Sequence, residues 1–376
     1  RLDNGTLTEF KEVNSLDEIT GDKSDTKYYC LSDNVDLNAA WEAPKRDIML
    51  CLNGKSITAP NGASAITVGN GSTFTLMDCK NGKISGGSSG IAVTGGTFNL
   101  HSGEISGNTA NGGGGVAIIG STMVMNGGTI SNNSTYKTSG QGSYGAGVYV
   151  ADYANASGGD TLFVARPASF EMNGGKITGN KALDYGGGVV TFPQQSKKIT
   201  ITINNGEISG NKVTKGSGGA VAAFFGVTEL NIKGGTLTGN SAQQFGGGVF
   251  LYGTTNVTIS GGTISENKAL RGGGGVCLRE GSAVKQTGGS IENNVAKVGG
   301  GIYSGIYTMT GGVIKDNNNS LTEAARLSTL GDGVFVGTAF NLGNDAEIST
   351  NNDVYLTAGD SISKEGRYIN VISPYT

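Results

Sequence analysis

Apolar and polar residues alternate along this chain in short stretches, and the stretches recur. Val257-Thr258-Ile259-Ser260 runs into Gly261-Gly262-Thr263-Ile264, and Ile199-Thr200-Ile201-Thr202-Ile203 and Leu230-Asn231-Ile232 alternate in the same way. A period of two with one apolar side marks a strand buried on one face. A fixed phrase follows: Gly-Gly or Asn-Gly, a spacer, an aliphatic, a spacer, then Asn. The aliphatics are Ile105, Ile130, Ile177, Ile208, Leu237, Ile264, Ile291 and Ile314, with gaps of 25, 47, 31, 29, 27, 27 and 23 residues. A glycine triplet then opens the next stretch, as at Gly186–Val189, Gly246–Val249, Gly273–Val276 and Gly299–Ile302. Repeats of this length bury no core alone and must stack on one another.

Short strands, glycine corners and no helical periodicity predict an all-β chain wound as a parallel β-helix of roughly ten to twelve coils. Right-handed winding is expected, because parallel crossovers overwhelmingly take that hand. At ~4.8 Å per strand the rod would be about 50 Å long. Asn108, Asn133, Asn180, Asn211, Asn240, Asn267, Asn294 and Asn317 fall at one corner, one per coil. Stacked asparagines use amide donor and acceptor together, so this row reads as a structural ladder rather than a ligand set. Ala182, Ala242, Ala269 and Ala296 follow two residues later, where a tight corner admits only a small side chain.

Residues 1–47 lack the repeat, carry a capping-box pattern at Ser15–Glu18 and hold the single tryptophan, Trp41. They read as an N-terminal cap, since an open terminal coil would template edge pairing. Residues 48–356 read as the β-helix, with loop insertions near 134–168, 191–198 and 318–331, and 357–376 as a C-terminal cap or strand. Leu321–Leu327 is the most helix-like piece within the repeats.

The 67 glycines among 376 residues are about 18%, against a typical ~7%. Collagen is excluded by five prolines and the lack of a three-residue register, and disorder by the aliphatic content. A net charge of −3 without a basic cluster gives no nucleic-acid footprint. No apolar run approaches the ~18–20 residues of a membrane span, so no membrane insertion is expected. The start at Arg1, with no signal peptide, suits a piece of a larger surface protein. Cys51 and Cys79 each precede an Asn-Gly pair by two residues, which would place them on matching positions of consecutive coils. They act either as small apolar fillers or, with Cys30, in a disulfide; Cys277 looks single. His101 is the only histidine, and no spacing points to a metal or a cofactor.

Parity places the residue after each triplet aliphatic outward: Ala117, Tyr149, Val190, Ala222, Phe250, Cys277, Tyr303 and Phe335. Two residues on come Phe192, Phe224, Tyr252 and Arg279, on consecutive coils. The candidate ligand-binding residues are therefore Phe192, Phe224, Tyr252, Arg279, Phe250 and Tyr303, since aromatic rings suit sugar faces and protein partners alike. The alternatives are that inserted loops such as 151–168 cover these rings as satellite core, or that the parity fails. Tyr185 and Phe245, just before triplets, read as corner packing. The chain shows no acidic pair, His-centred motif or basic pair of a lyase or glycosidase, and Arg279-Glu280 reads as a solvated pair. No catalytic residue is assigned. Thr-x-Thr at Thr73–Thr75 and Thr200–Thr202 does not align from coil to coil, which argues against a flat threonine array.

Repeats joining Gly-Gly-x-Ile, Gly-Asn-x-Ala and Gly-Gly-Gly-Val-x-Val over Gly95–Val336 resemble those of polymorphic outer-membrane proteins and adhesin-like surface proteins of gut Gram-positive bacteria. Tyr28–Leu31 and Ile48–Ile57 are similar to the entry coils of those proteins. The resemblance implies a secreted or cell-surface binding module that recognises a glycan or a host or bacterial surface protein. A carbohydrate-active enzyme, either a polysaccharide lyase or a glycosidase, is the alternative on the same fold.

Overall fold

The computed structural model describes residues 9–22, 24–25, 27–136, 142–154, 164–193, 197–225, 228–253, 256–319, 331–356 and 368–371. Its strands stack in parallel, in register, coil upon coil. Each full coil runs through three faces and a short fourth. Strands opened by the glycine triplets form face A, where twelve described strands stack from Trp41–Glu42 to Val354–Leu356. The alternating stretches, such as Ile199–Ile203 and Thr228–Ile232, form face B. The three-residue strands centred on the repeat aliphatics form face C, and pairs such as Lys181–Ala182 form the short face D.

Register puts like over like. Ile57, Ile84, Ile105, Ile130, Ile177, Ile208, Leu237, Ile264, Ile291 and Ile314 make one buried column on face C. On face B, Phe74 lies over Phe98 with rings 6.0 Å apart and 15° from parallel. Polar residues enter the buried face B columns at Thr228, in register with Ile199, and at Gln286, fully buried between Ile259 and Met309, where it accepts a hydrogen bond from the buried Tyr307 hydroxyl.

The asparagine row forms as expected and gains a ninth member. Each Nδ2 donates to the Oδ1 of the next asparagine at 2.9–3.0 Å, from Asn108 through to Asn352. The same oxygen also accepts the backbone N–H of the asparagine below, at 2.9–3.2 Å. The second Nδ2 proton goes to a face C carbonyl of the preceding coil, as from Asn240 to Ile208 at 2.8 Å. Every amide is thus satisfied in a site closed to water. Asn352 escapes the sequence pattern because no Gly-x-Ile phrase precedes it.

The triplet glycines serve three different needs. The first has a left-handed φ of 57–78° at Gly113, Gly145, Gly186, Gly218, Gly246, Gly273, Gly299 and Gly331. Alanine replaces glycine at the second position in one coil (Ala146) and at the third in another (Ala220), never at the first.

Stacking also begins earlier than residue 48. Within the expected cap, Lys11–Val13 pairs with Tyr28–Leu31, which pairs with Asp47–Cys51, and Trp41 stacks on Ile66. The helix Leu16–Gly21 buries Leu16 and Ile19 against this end, and Trp41 Nε1 donates to Thr20 Oγ1 at 2.9 Å. Ser15 makes no side-chain cap; instead Glu18 Oε1 accepts from the Asn14 N–H at 3.3 Å. Of the insertions, the described part includes an antiparallel ribbon, Tyr153–Ala154 with Val164–Ala165. Residues 137–141, 155–163, 194–196 and 320–330, including the helix-like Leu321–Leu327, lie outside the described residues. So does most of the expected C-terminal cap, although Tyr368–Val371 pairs on face B.

Two expectations are corrected. Cys51 matches Cys30 below and Met77 above, not Cys79. The flanking strands repeat at offsets of 26 and 27 residues, whereas the two Cys-x-Asn-Gly motifs are 28 apart, which puts Cys79 two residues past the column. Thr75 and Thr202 lack threonine neighbours above, facing Asn99 and Asn231, but Thr73 and Thr200 do line up, through Thr97, Thr122 and Ser169 on face B. Hydroxyls also line up on face C, through Ser106, Ser131, Thr178, Ser209, Thr238 and Ser265. Ser209 donates to Thr178 at 3.1 Å and Ser265 to Thr238 at 3.2 Å, so this row bonds to itself.

Replacing Asn240 with Leu would strand the Asn211 N–H and Nδ2 donors and one Ile208 acceptor. At ~1–3 kcal/mol per buried unsatisfied group, at least about 3 kcal/mol should be lost, read from the urea unfolding midpoint. Gly246→Ala and Gly247→Ala should both destabilise, for different reasons. At Gly246 a left-handed alanine costs ~1–2 kcal/mol and its Cβ would lie 2.3 Å from the Val249 carbonyl oxygen, while at Gly247 a Cβ would lie 2.5 Å from the Lys268 backbone nitrogen of the next coil. An unchanged urea midpoint for either variant would contradict the positional account.

Candidate functional site

The outward side of face A departs most from a plain repeat. Register confirms the row Ala117, Tyr149, Val190, Ala222, Phe250, Cys277, Tyr303 and Phe335. Yet Val190, Ala222 and Cys277 are fully buried, although they point away from the core. Their cover comes from the corner between faces D and A, where Gly112, Tyr144, Tyr185 and Ser217 stack, followed by Phe245, Gly272 and Val298. The rings at this corner fold across face A. Tyr185 meets Phe224 edge-on at 4.7 Å, and Tyr144 lies 4.7 Å from Phe192. Tyr185 and Phe245 are therefore not only corner packing; they roof a second apolar cluster.

The roof has a gap. Ser217 occupies the place of a ring between Tyr185 and Phe245, and a cleft of about 350 Å³ opens there. Phe250 forms part of its floor, stacked 6.3 Å from Tyr185 and 6.4 Å from Phe245, with Phe224 beside it. Phe192, Phe225, Tyr252 and Arg279 line the opposite side, at the corner between faces A and B. The candidates thus divide. Phe224 and Phe250 are only 6% and 4% exposed and act as floor. Phe192, Tyr252 and Arg279 form the accessible wall. Tyr303 belongs elsewhere, stacked on Phe335 at 4.9 Å along a row that ends at Tyr355.

Sequence reasoning missed Phe225. Its φ is +53°, a conformation that a bulky side chain rarely adopts, and its ring is 48% exposed. Other coils place Gly120, Gly253 and Glu280 at the same turn, all with positive φ. The Phe225 ring meets Tyr252 edge-on at 5.5 Å and lies 6.3 Å from Phe224. Comparing coils at the residue after each face A strand would have exposed it.

Electrostatics add one charge to the lining. Arg279 follows Phe224 and Tyr252 in register, and its guanidinium lies 4.9 Å from the Phe245 ring centre, a cation–π distance. The expected Arg279–Glu280 pair does not form among the described residues. Glu280 has a left-handed φ of +51°, and its carboxylate raises the Tyr252 pKa. Burial raises those of Tyr144 and Tyr185. Among the described residues no group of three metal-ligating side chains occurs, and no helix is long and apolar enough to cross a membrane.

The fold and this lining define a parallel β-solenoid with an aromatic cleft on one face. No family model matches the chain, and no curated protein or solved structure matches it either.

The cysteines provide a probe of the roof. All four are free; burial pushes the Cys51 thiol up to about 12 and raises that of Cys277 beneath the rings. Since the thiolate is the reactive form, iodoacetamide at pH 7.5 should label the exposed Cys79 and leave Cys51 and Cys277 unmodified in the native protein. Labelling of Cys277 as fast as Cys79, followed by peptide mass mapping, would show that the roof is not closed.

Proposed function

We propose that the chain is an extracellular, adhesin-like binding module that holds a glycan in the face A cleft. The observation that carries this reading is Phe225, a half-exposed ring at the cleft edge, in a positive-φ conformation that the next coil gives to Gly253. Backbone strain of this kind persists where function uses it, and exposed aromatic rings beside an open cleft suit the apolar faces of sugars. The volume lies at the lower end of the ~300–1,000 Å³ typical of small-ligand pockets, and the rigid ladders beneath hold the wall in place without needing closure. The lining contributes rings, Ser217, Gln244 and one arginine, a set suited to holding rather than to acid–base cleavage. The resemblance to adhesin-like surface repeats supports the same assignment.

A glycan array with the wild type, Phe225→Gly and Tyr252→Ala tests the proposal. Phe225→Gly removes the lip ring and relieves a strain of ~1–2 kcal/mol, so its unfolding midpoint should stay level or rise. Binding should fall at least about tenfold, as for an aromatic hot spot. A weakened fold with unchanged binding would overturn the assignment. Release of reducing ends or unsaturated products from bound polysaccharide would replace the module with an enzyme.

A further inference from the structure

The same cleft carries a chemical preference. Three aligned positions at the cleft are Phe224, Tyr252 and Arg279, so the third coil puts a cation where the others put rings. Arg279 stands in no ion pair among the described residues, not even with the adjacent Glu280. Arg271 adds a second guanidinium over the same Phe245 ring, at 5.9 Å. No carboxylate lines the cleft. One ring thus orients two cations that the fold does not neutralise.

Resting on the glycan reading above, we infer that the cleft selects sugars bearing a carboxylate, the hexuronic acid class, with Arg279 as the specificity-determining residue. A guanidinium stacked on an aromatic face keeps its edge N–H donors free in one plane, and that fork matches a planar carboxylate with two parallel hydrogen bonds. The sugar ring then lies against Tyr252 and Phe225 while its carboxylate reaches Arg279. A neutral sugar leaves the charge without a partner, which is the basis of discrimination. Stacking on Phe245 holds the guanidinium in place before the ligand arrives, so little side-chain freedom remains to be lost on binding.

The test compares three probes by isothermal titration in 50 mM salt: trigalacturonic acid, its fully methyl-esterified form and a sulfated neutral trisaccharide. The acid and the ester share ring skeleton and linkage and differ in charge only at the carboxyl carbon of each residue. The acid should bind at least tenfold more tightly than the ester. Arg279→Gln should erase that difference, and Arg279→Lys should restore only part of it, because an ammonium lacks the fork. The unfolding midpoint of both variants should match the wild type, which separates recognition from folding. Equal affinity for acid and ester would overturn the carboxylate preference and leave the glycan reading standing. Binding of the sulfated probe alone would also overturn it, reassigning Arg279 to sulfate esters. Absence of binding to all three, with binding to a neutral glycan on the array, would overturn this inference only; absence of any glycan binding would remove both.

Discussion

The buried asparagine row is the constraint on which the architecture depends. A side-chain amide shut away from water must satisfy two donors and its acceptor oxygen, and failure to do so costs ~1–3 kcal/mol per group. The answer here is repetition: each Oδ1 takes two protons from the asparagine below, and each Nδ2 gives one forward and one back. Such a bond set closes only if the next coil arrives in the same register, at the same height. Asn108 to Asn352 therefore fixes coil alignment more strictly than aliphatic columns could, since isoleucine on isoleucine tolerates small slips. At the open end Asn352 donates back to the Asn317 and Asn351 carbonyls, so the row terminates without an orphaned amide.

Strict stacking has a geometric price: every coil must bring its backbone close to the next. The third triplet glycine lies against the asparagine amide, where an added Cβ would sit 3.1 Å from Asn267 Nδ2 at Gly248 and 3.0 Å from Asn294 Nδ2 at Gly275. Glycine content and asparagine row are thus two sides of one packing solution. The asparagines stand between faces C and D and the triplets between faces D and A, so together they brace face D on both sides and hold the outward residues of face A in straight columns. The cleft is a product of that regularity. It appears where one coil breaks the aromatic row with Ser217 and the opposite corner carries the Phe225 ring beneath Gly253.

The architecture was legible in the sequence because it is periodic. Ile130, Ile177 and Ile208 announce face C, and their asparagines announce the row, even across a 47-residue gap. What periodicity cannot show is the consequence of a side chain lying across its neighbours. Parity correctly places Phe250 outward, but Tyr185 and Phe245 reach over it, and Phe250 becomes floor. Cys79 illustrates a different limit, since its motif recurs at a spacing the flanking strands do not share and so falls out of register. Asn352 and Phe225 were hidden for opposite reasons. The first keeps the structural role without the surrounding phrase, and the second keeps the position without the expected residue.

That contrast bears on how a solenoid acquires a site. Positions that obey the repeat are committed to stacking, and their side chains answer to the coils above and below. A residue that breaks the repeat while keeping its backbone geometry is released from that duty but inherits its precision. Phe225 stands in a left-handed turn, and its ring is held at the cleft edge by that backbone and by edge-on contact with Tyr252, yet remains half exposed. Arg279 likewise takes a column begun by Phe224 and Tyr252, and the Phe245 ring fixes its guanidinium. Both groups are pre-organised on a frame too cross-braced to rearrange, which favours recognition of a rigid, ring-shaped ligand over one that must be enclosed by moving parts.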